Sequence, residues 1–163
     1  MRMWSARGIV FVLCANALAP RAGHGQRMAP GMGGGTGPMF GAHVGYNFHL
    51  DNTALGIQAS LPMSRTVAFY PSFDYYPVTG QTWWGLNLDL AIRPPVVQFL
   101  YFGAGVNFFH VDLTGVSETS SHLDLISGLE AQMGRLRPFA EARFFVGDST
   151  SFQLVGGANV PLQ

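Results

Sequence analysis

The sequence predicts an all-β fold, an eight-stranded antiparallel up-and-down transmembrane β-barrel preceded by a signal peptide. Three observations predict it. The first is alternation. In WGLNLDLAIRPPVVQFLYFGAGVNFF, Trp84, Leu86, Leu88, Leu90 and Ile92 interleave with Gly85, Asn87, Asp89, Ala91 and Arg93. After Pro94-Pro95, Leu100, Phe102, Ala104, Val106 and Phe108 interleave with Tyr101, Gly103, Gly105 and Asn107. Successive strand side chains point to opposite faces, so each arm has an apolar face and a small or polar one. The second is composition: charged residues make up 11% and aromatics 13%, with 48% of the chain hydrophobic. A soluble domain carries about a quarter charged residues, and no apolar run here is long enough for a membrane helix, so the hydrophobicity is dispersed as a membrane barrel disperses it. The third is the N-terminus, which reads as an export signal.

Arg2 and Arg7 form a positive region, Gly8 to Ala19 an apolar one, and small residues follow. That is a Sec-type signal peptide over residues 1–25, too short to span a bilayer, with cleavage expected before Gln26. Cys14 is the only cysteine, and Leu13 before it is too large for a lipobox. The exported chain therefore has no disulfide, thiol nucleophile or thiolate metal site. It keeps six of the nine arginines, with no lysine, against nine carboxylates, a net charge of about −3 that offers nucleic acid no electrostatic footing. Residues 26–38 (QRMAPGMGGGTGP) lack periodicity and read as a flexible lead-in, which leaves 39–163 for one barrel domain.

The strands follow in order. Phe40 to Leu50 places Phe40, Ala42, Val44, Tyr46, Phe48 and Leu50 on the apolar face, before a turn at Asp51-Asn52. Thr53 to Leu61 turns Leu55, Ile57, Ala59 and Leu61 outward and Gly56, Gln58 and Ser60 inward. Arg65 to Tyr76 sends Val67, Phe69, Pro71, Phe73 and Tyr75 outward and Thr66, Ala68, Tyr70, Ser72 and Asp74 inward. Pro77 to Gln81 forms the next loop and the hairpin described above supplies strands four and five. Leu113 to Ser121, rich in Ser and Thr, reads as the longest connection. Strand six, His122 to Met133, sets Leu123, Leu125, Leu129, Ala131 and Met133 against Asp124, Gly128, Glu130 and Gln132. Strand seven sets Leu136, Ala140, Ala142, Phe144 and Val146 against Arg137, Glu141 and Arg143. Gly147 to Thr150 turns into strand eight, with Phe152, Leu154, Ala158 and Val160 outward and Gln153, Gly157 and Asn159 inward. Pro71 and Pro138 fall inside strands, where a missing N–H predicts a bulge.

With its signal peptide, eight alternating strands and short turns, the chain from about Pro38 to Gln163 resembles the small outer-membrane barrels of the OmpA, OmpX and opacity-protein type. Such barrels commonly end in an aromatic residue, whereas this chain reads Val160-Pro161-Leu162-Gln163. The resemblance implies a bacterial outer-membrane protein of structural or surface-interacting role, with both ends of the barrel chain in the periplasm. It also implies contact with outer-membrane lipid and lipopolysaccharide, dependence on the outer-membrane assembly machinery, and a monomer.

An eight-stranded barrel is just wide enough for side chains to fill it. Inward carboxylates then need partners, because an unpaired buried charge is costly. A tight turn at Met133-Gly134 would bring Glu130 beside Arg137 and Asp124 beside Arg143. Tight hairpins would likewise bring Asp89 near both Tyr101 and Tyr70, with Glu141 on the same inward face and Gly103, Gly105 and Gly128 leaving room. These eight residues, Asp89, Tyr70, Tyr101, Glu130, Arg137, Asp124, Arg143 and Glu141, are the expected structural network of the lumen; a narrow ion channel through the same groups is the sharper alternative.

No cofactor and no metal is expected. His43 and His49 share a face but lie six residues, roughly 20 Å, apart, and His110-Val111-Asp112 and His122-Leu123-Asp124 read as rim residues. Some eight-stranded barrels are lipid A deacylases with a His-x-Ser pair; Ser120-Ser121-His122-Leu123-Asp124 contains those residue types in another order, so a non-enzymatic protein is expected. A soluble periplasmic, lipocalin-like binder would alternate as well, with its apolar face inward and its charged face outward. The polar set here is poor in charge and rich in Gly, Asn and Gln, which suits a tight lumen, while Trp84, Tyr46, Tyr75 and the outward phenylalanines suit lipid.

Overall fold

The computed structural model describes residues 37–113, 116–147 and 150–162. The expected signal peptide, and the lead-in apart from Gly37 and Pro38, lie outside them. Eight strands follow one another: β1 (Met39–Asn47), β2 (Asn52–Pro62), β3 (Val67–Val78), β4 (Gln81–Ile92), β5 (Leu100–Leu113), β6 (Val116–Glu130), β7 (Arg137–Val146) and β8 (Ser151–Pro161). Each pairs antiparallel with the next, and β8 returns to β1 with Met39 opposite Pro161, so the barrel closes and leaves no sheet edge along its wall.

Alternation decides which way each side chain points. Val44, Leu55, Ile57, Leu90, Phe102, Leu123, Leu129 and Phe144 stand exposed on the outer wall, whereas Tyr70, Asn87, Asp89, Asp124, Arg143, Gln153 and Asn159 are wholly buried inside. An apolar outside over a charged inside inverts the arrangement of a water-soluble domain and matches a barrel whose solvent is hydrocarbon. The fold is therefore that of a transmembrane up-and-down barrel, and the lipocalin-like arrangement, with apolar side chains lining the inside, is not the one adopted.

Several local expectations need correction. β1 stops at Asn47, because its side-chain oxygen accepts the backbone N–H groups of His49 and Leu50, each at 3.0 Å, and turns the chain there. The turn thus precedes Asn52 and places Asp51 at φ 48°. The β3–β4 loop is shorter than expected: Pro77 and Gln81 belong to the strands, and Gly80 at φ 74° lets Thr79-Gly80 reverse the chain. The Ser/Thr segment after Leu113 is mostly strand. β5 and β6 pair as far as Leu113 opposite Val116, because Ser and Thr fit a pleated surface and His110 Nδ1 bonds Thr119 Oγ1 at 2.8 Å across the ladder. The longest connection among the described residues is 93–99, where the two prolines open a seven-residue turn. Neither Pro71 nor Pro138 makes a bulge. The β2–β3 ladder skips the pairs at Pro71 yet keeps one register on either side, and Pro138, second in β7, accepts Ala131 N–H at 2.9 Å.

Candidate functional site

The strand pairing sets two rims. β1 begins and β8 ends at the terminal rim, which also carries turns 63–66, 93–99 and 131–136; the far rim carries the other turns. Between them the inward side chains form several polar clusters stacked along the lumen.

At the terminal rim Glu130 Oε1 meets Arg93 at 3.1 Å and Arg137 at 3.6 Å, and its Oε2 accepts Asn159 Nδ2 at 3.1 Å. The Arg93 guanidinium lies 5.0 Å over the Tyr101 ring, which stacks on Tyr70 with centroids 5.8 Å apart. The Tyr101 hydroxyl donates to Glu141 Oε2 at 2.7 Å. That ring fits only because β6 has Gly128 opposite it, where a Cβ would overlap the phenol.

Arg143 comes next, fully buried, and serves three carboxylates: Glu141 at 2.5 Å through Nε, and Asp124 at 3.2 Å and Asp89 at 3.5 Å through Nη1. A planar guanidinium with five donors is the one side chain able to do this, and charge-assisted bonds are the strong ones. The Oδ1 atoms of Asp89 and Asp124 and Nη2 of Arg143 have no hydrogen-bond partner within the usual distance among the described residues.

Toward the far rim, Asp74 accepts His43 Nε2 at 2.7 Å and Asn87 Nδ2 at 2.9 Å. Asn87 also donates to Ser72 at 3.0 Å and accepts from Asn107 at 2.6 Å. Tyr76 donates to Gln153 at 3.0 Å and packs edge-on against Phe109, which meets Trp83 in the same way. Above them a cavity of about 150 Å³, lined by Asn47, His49, Asn107, Ser120, His122 and Phe145 among others, opens at the far rim.

Of the eight residues expected in the lumen, all but half-buried Arg137 are buried. Glu130 does reach Arg137 and Asp124 does reach Arg143, but diagonally, since the register sets Glu130 opposite Phe139 and Asp124 opposite Phe145. Tyr70 is opposite Asp89, as expected. Tyr101 is not beside Asp89, which faces Gly105; the seven-residue turn brings Arg93 to the tyrosine instead. The fan of three carboxylates about Arg143, the His43–Asp74 pair and the Asn87 hub were missed, although Asp74, Asn87 and Asn107 share the inward period. Phe139, Phe145, Ile126 and Val155 were missed too, as apolar residues at inward positions.

Ser120, His122 and Asp124 all face inward on β6, but Asp124 is held by Arg143 and His122 Nδ1 is buried with no hydrogen-bond partner among the described residues. His43 is bound to Asp74, while His110 faces out and stacks on Trp84 at 4.9 Å. No group of three potential metal ligands forms among the described residues.

No family model matches the chain, and no curated protein matches it. Solved structures do. The N-terminal β-barrel domain of Pseudomonas aeruginosa OprF is similar at 12% identity and a TM-score of 0.63, over 77% of this chain and 96% of that one. Neisserial surface protein A (NspA) is similar at 19% identity and a TM-score of 0.57, over 77% and 96%. The de novo designed TMB2.3 is similar at 10% identity and a TM-score of 0.55, over 78% and 95%. Identities this low establish a shared fold. A designed protein among them shows how little the fold says of biological role.

Proposed function

We propose that this chain is a non-enzymatic barrel of the bacterial outer membrane, with a structural or surface-interacting role and a lumen closed by its own ion pairs. The observation that carries this reading is the fully buried Arg143 with its three carboxylates across the middle of an apolar-walled barrel. Side chains at zero exposure there support a closed lumen, as does a guanidinium shared among three carboxylates, which resists displacement by a passing ion. OprF and NspA support the outer-membrane setting through their fold, and NspA through its name as a surface protein. Absence of catalysis is supported by the β6 residues. A nucleophilic Ser120 would need His122 oriented by a carboxylate, and Asp124 is already committed to Arg143. The short far turns at 48–51 and 79–80 offer little adhesive surface, so a modest contact with lipopolysaccharide and lipid fits better than a large protein partner.

The experiment has two parts. Protein extracted from the outer membrane is expected to run at different gel mobility with and without boiling, because closed barrels resist detergent. Reconstituted in a planar bilayer, it is expected to give no discrete conductance steps. Soluble protein of a single mobility would overturn the membrane reading, and steady unitary conductance would replace the plug with a channel.

A further inference from the structure

The two rims differ in charge. Every arginine of the described residues except the central Arg143 lies at the terminal rim: Arg65, Arg93, Arg135 and Arg137. The only carboxylate there among the described residues is Glu130, which engages Arg93 and Arg137, so Arg65 and Arg135 stand exposed with no ion pair among those residues. Asp51, Asp112 and Glu118 lie at the far rim, which has no arginine among the described residues.

The turns of both rims expose apolar side chains. The far rim has Phe48 at 52% and Val116 at 68%, beside His49, Asp51, Thr79 and Gly80 and with no arginine among the described residues. The turns of the terminal rim expose Met63 at 69%, Val96 at 92%, Phe99 at 59% and Met133 at 53%. They continue the apolar outer wall past the ends of the strands, with Arg65 two residues from Met63 and Arg135 two from Met133. Apolar side chains sinking into the acyl boundary beside cations at headgroup level are the pattern of an interfacial surface.

We propose that the terminal rim is a docking surface for anionic phospholipid headgroups, with Arg65 and Arg135 binding their phosphates and the four exposed apolar turn residues seated among the upper acyl carbons. The inference rests on the membrane reading above and adds which lipid the barrel selects and with which end. A basic residue near a charged membrane surface contributes about 1 kcal/mol, or about fivefold in association, and the contribution falls off within a Debye length.

The test is lipid selectivity. The protein purified from envelopes is reconstituted in phosphatidylcholine vesicles containing traces of spin-labelled phosphatidylglycerol or spin-labelled phosphatidylcholine. The immobilised fraction of each label is read by electron spin resonance. We expect the phosphatidylglycerol label to associate several-fold more strongly, with the preference abolished in Arg65→Gln/Arg135→Gln and kept in Arg65→Lys/Arg135→Lys. It should also fade for the unaltered protein at about 1 M salt, where the Debye length is roughly 3 Å. Equal association of the two labels with the unaltered protein, or a preference that survives both the glutamine pair and high salt, overturns the proposal. Failure to enter the phosphatidylcholine vesicles at all would instead count against the membrane reading, which the boiled and unboiled mobilities check separately.

Discussion

The two halves of the lumen are filled by different chemistry. Toward the terminal rim lie Arg93, Arg137 and Arg143 with Glu130, Glu141, Asp124 and Asp89, tied through guanidinium groups. Toward the far rim the only buried carboxylate among the described residues is Asp74, and the remaining space holds Asn87, Asn107, Gln153, Tyr76 and an edge-packed pair of aromatics. Both halves fill the barrel, but they fail differently. A buried charge that loses its partner keeps a large desolvation cost, whereas an amide that loses a partner is short one hydrogen bond. The charged half is therefore strongly coupled and the amide half locally forgiving.

The largest effect is expected at the hub. Arg143→Met keeps much of the side-chain volume and strands Glu141, Asp124 and Asp89 together at zero exposure. Breaking a buried pair costs about 3–5 kcal/mol, and here one change breaks three. The variant is expected to refold poorly and to lose its unboiled gel band. Adding Glu141→Gln, Asp124→Asn and Asp89→Asn should restore much of the loss, as removing a whole buried network often does. If Arg143→Met alone refolds with an unchanged urea midpoint, the charged half is not coupled as described.

Asn87→Ala probes the other half. It removes two donors and an acceptor, leaving Ser72 and Asn107 without this partner while Asp74 keeps His43. About 2–3 kcal/mol of destabilisation is expected, at the upper end for an unsatisfied buried group, read as a lowered urea midpoint with the folded band intact. A loss as large as that of Arg143→Met would erase the distinction between the halves.

The same contrast explains what was legible in the sequence. The wall was readable because alternation marks every strand, and the inward positions it marks include Tyr70, Asp89, Asp124, Glu130, Glu141 and Arg143, all buried in the structure. Exact partners depended on turn lengths. The β6–β7 register differs by two residues from that of a tight turn, yet long arginines still reach across a diagonal, so Glu130–Arg137 and Asp124–Arg143 survived the error. Tyr101–Asp89 did not, because Asp89 is too short to span the shift that turn 93–99 introduces. The far half was the least legible. Amide networks have no charge signature, and Trp83, Phe109 and Phe145 sit inside against the rule that apolar side chains of such a barrel face lipid. The same blindness hid the β6 extension, whose Ser and Thr residues look like a loop until β5 pairs with them.

The smallest effect is expected at the far mouth. Trp83 is half-buried against Phe109, ring centroids 6.2 Å apart, and its Nε1 is buried without a partner. Trp83→Phe gives up part of the ring's apolar contact, a loss of order 1 kcal/mol, but also removes an unpaired N–H whose burial costs about as much. The two terms nearly cancel, so the urea midpoint should stay within about 1 kcal/mol of the unaltered barrel. Trp84, on the outer wall against Phe73 and His110, then remains the only tryptophan in the barrel and reports the transition. A loss above roughly 2 kcal/mol would mean that the indole's packing against Phe109 outweighs the relief of its unpaired N–H. The far mouth would then be held together by its aromatic contacts rather than merely capped by them.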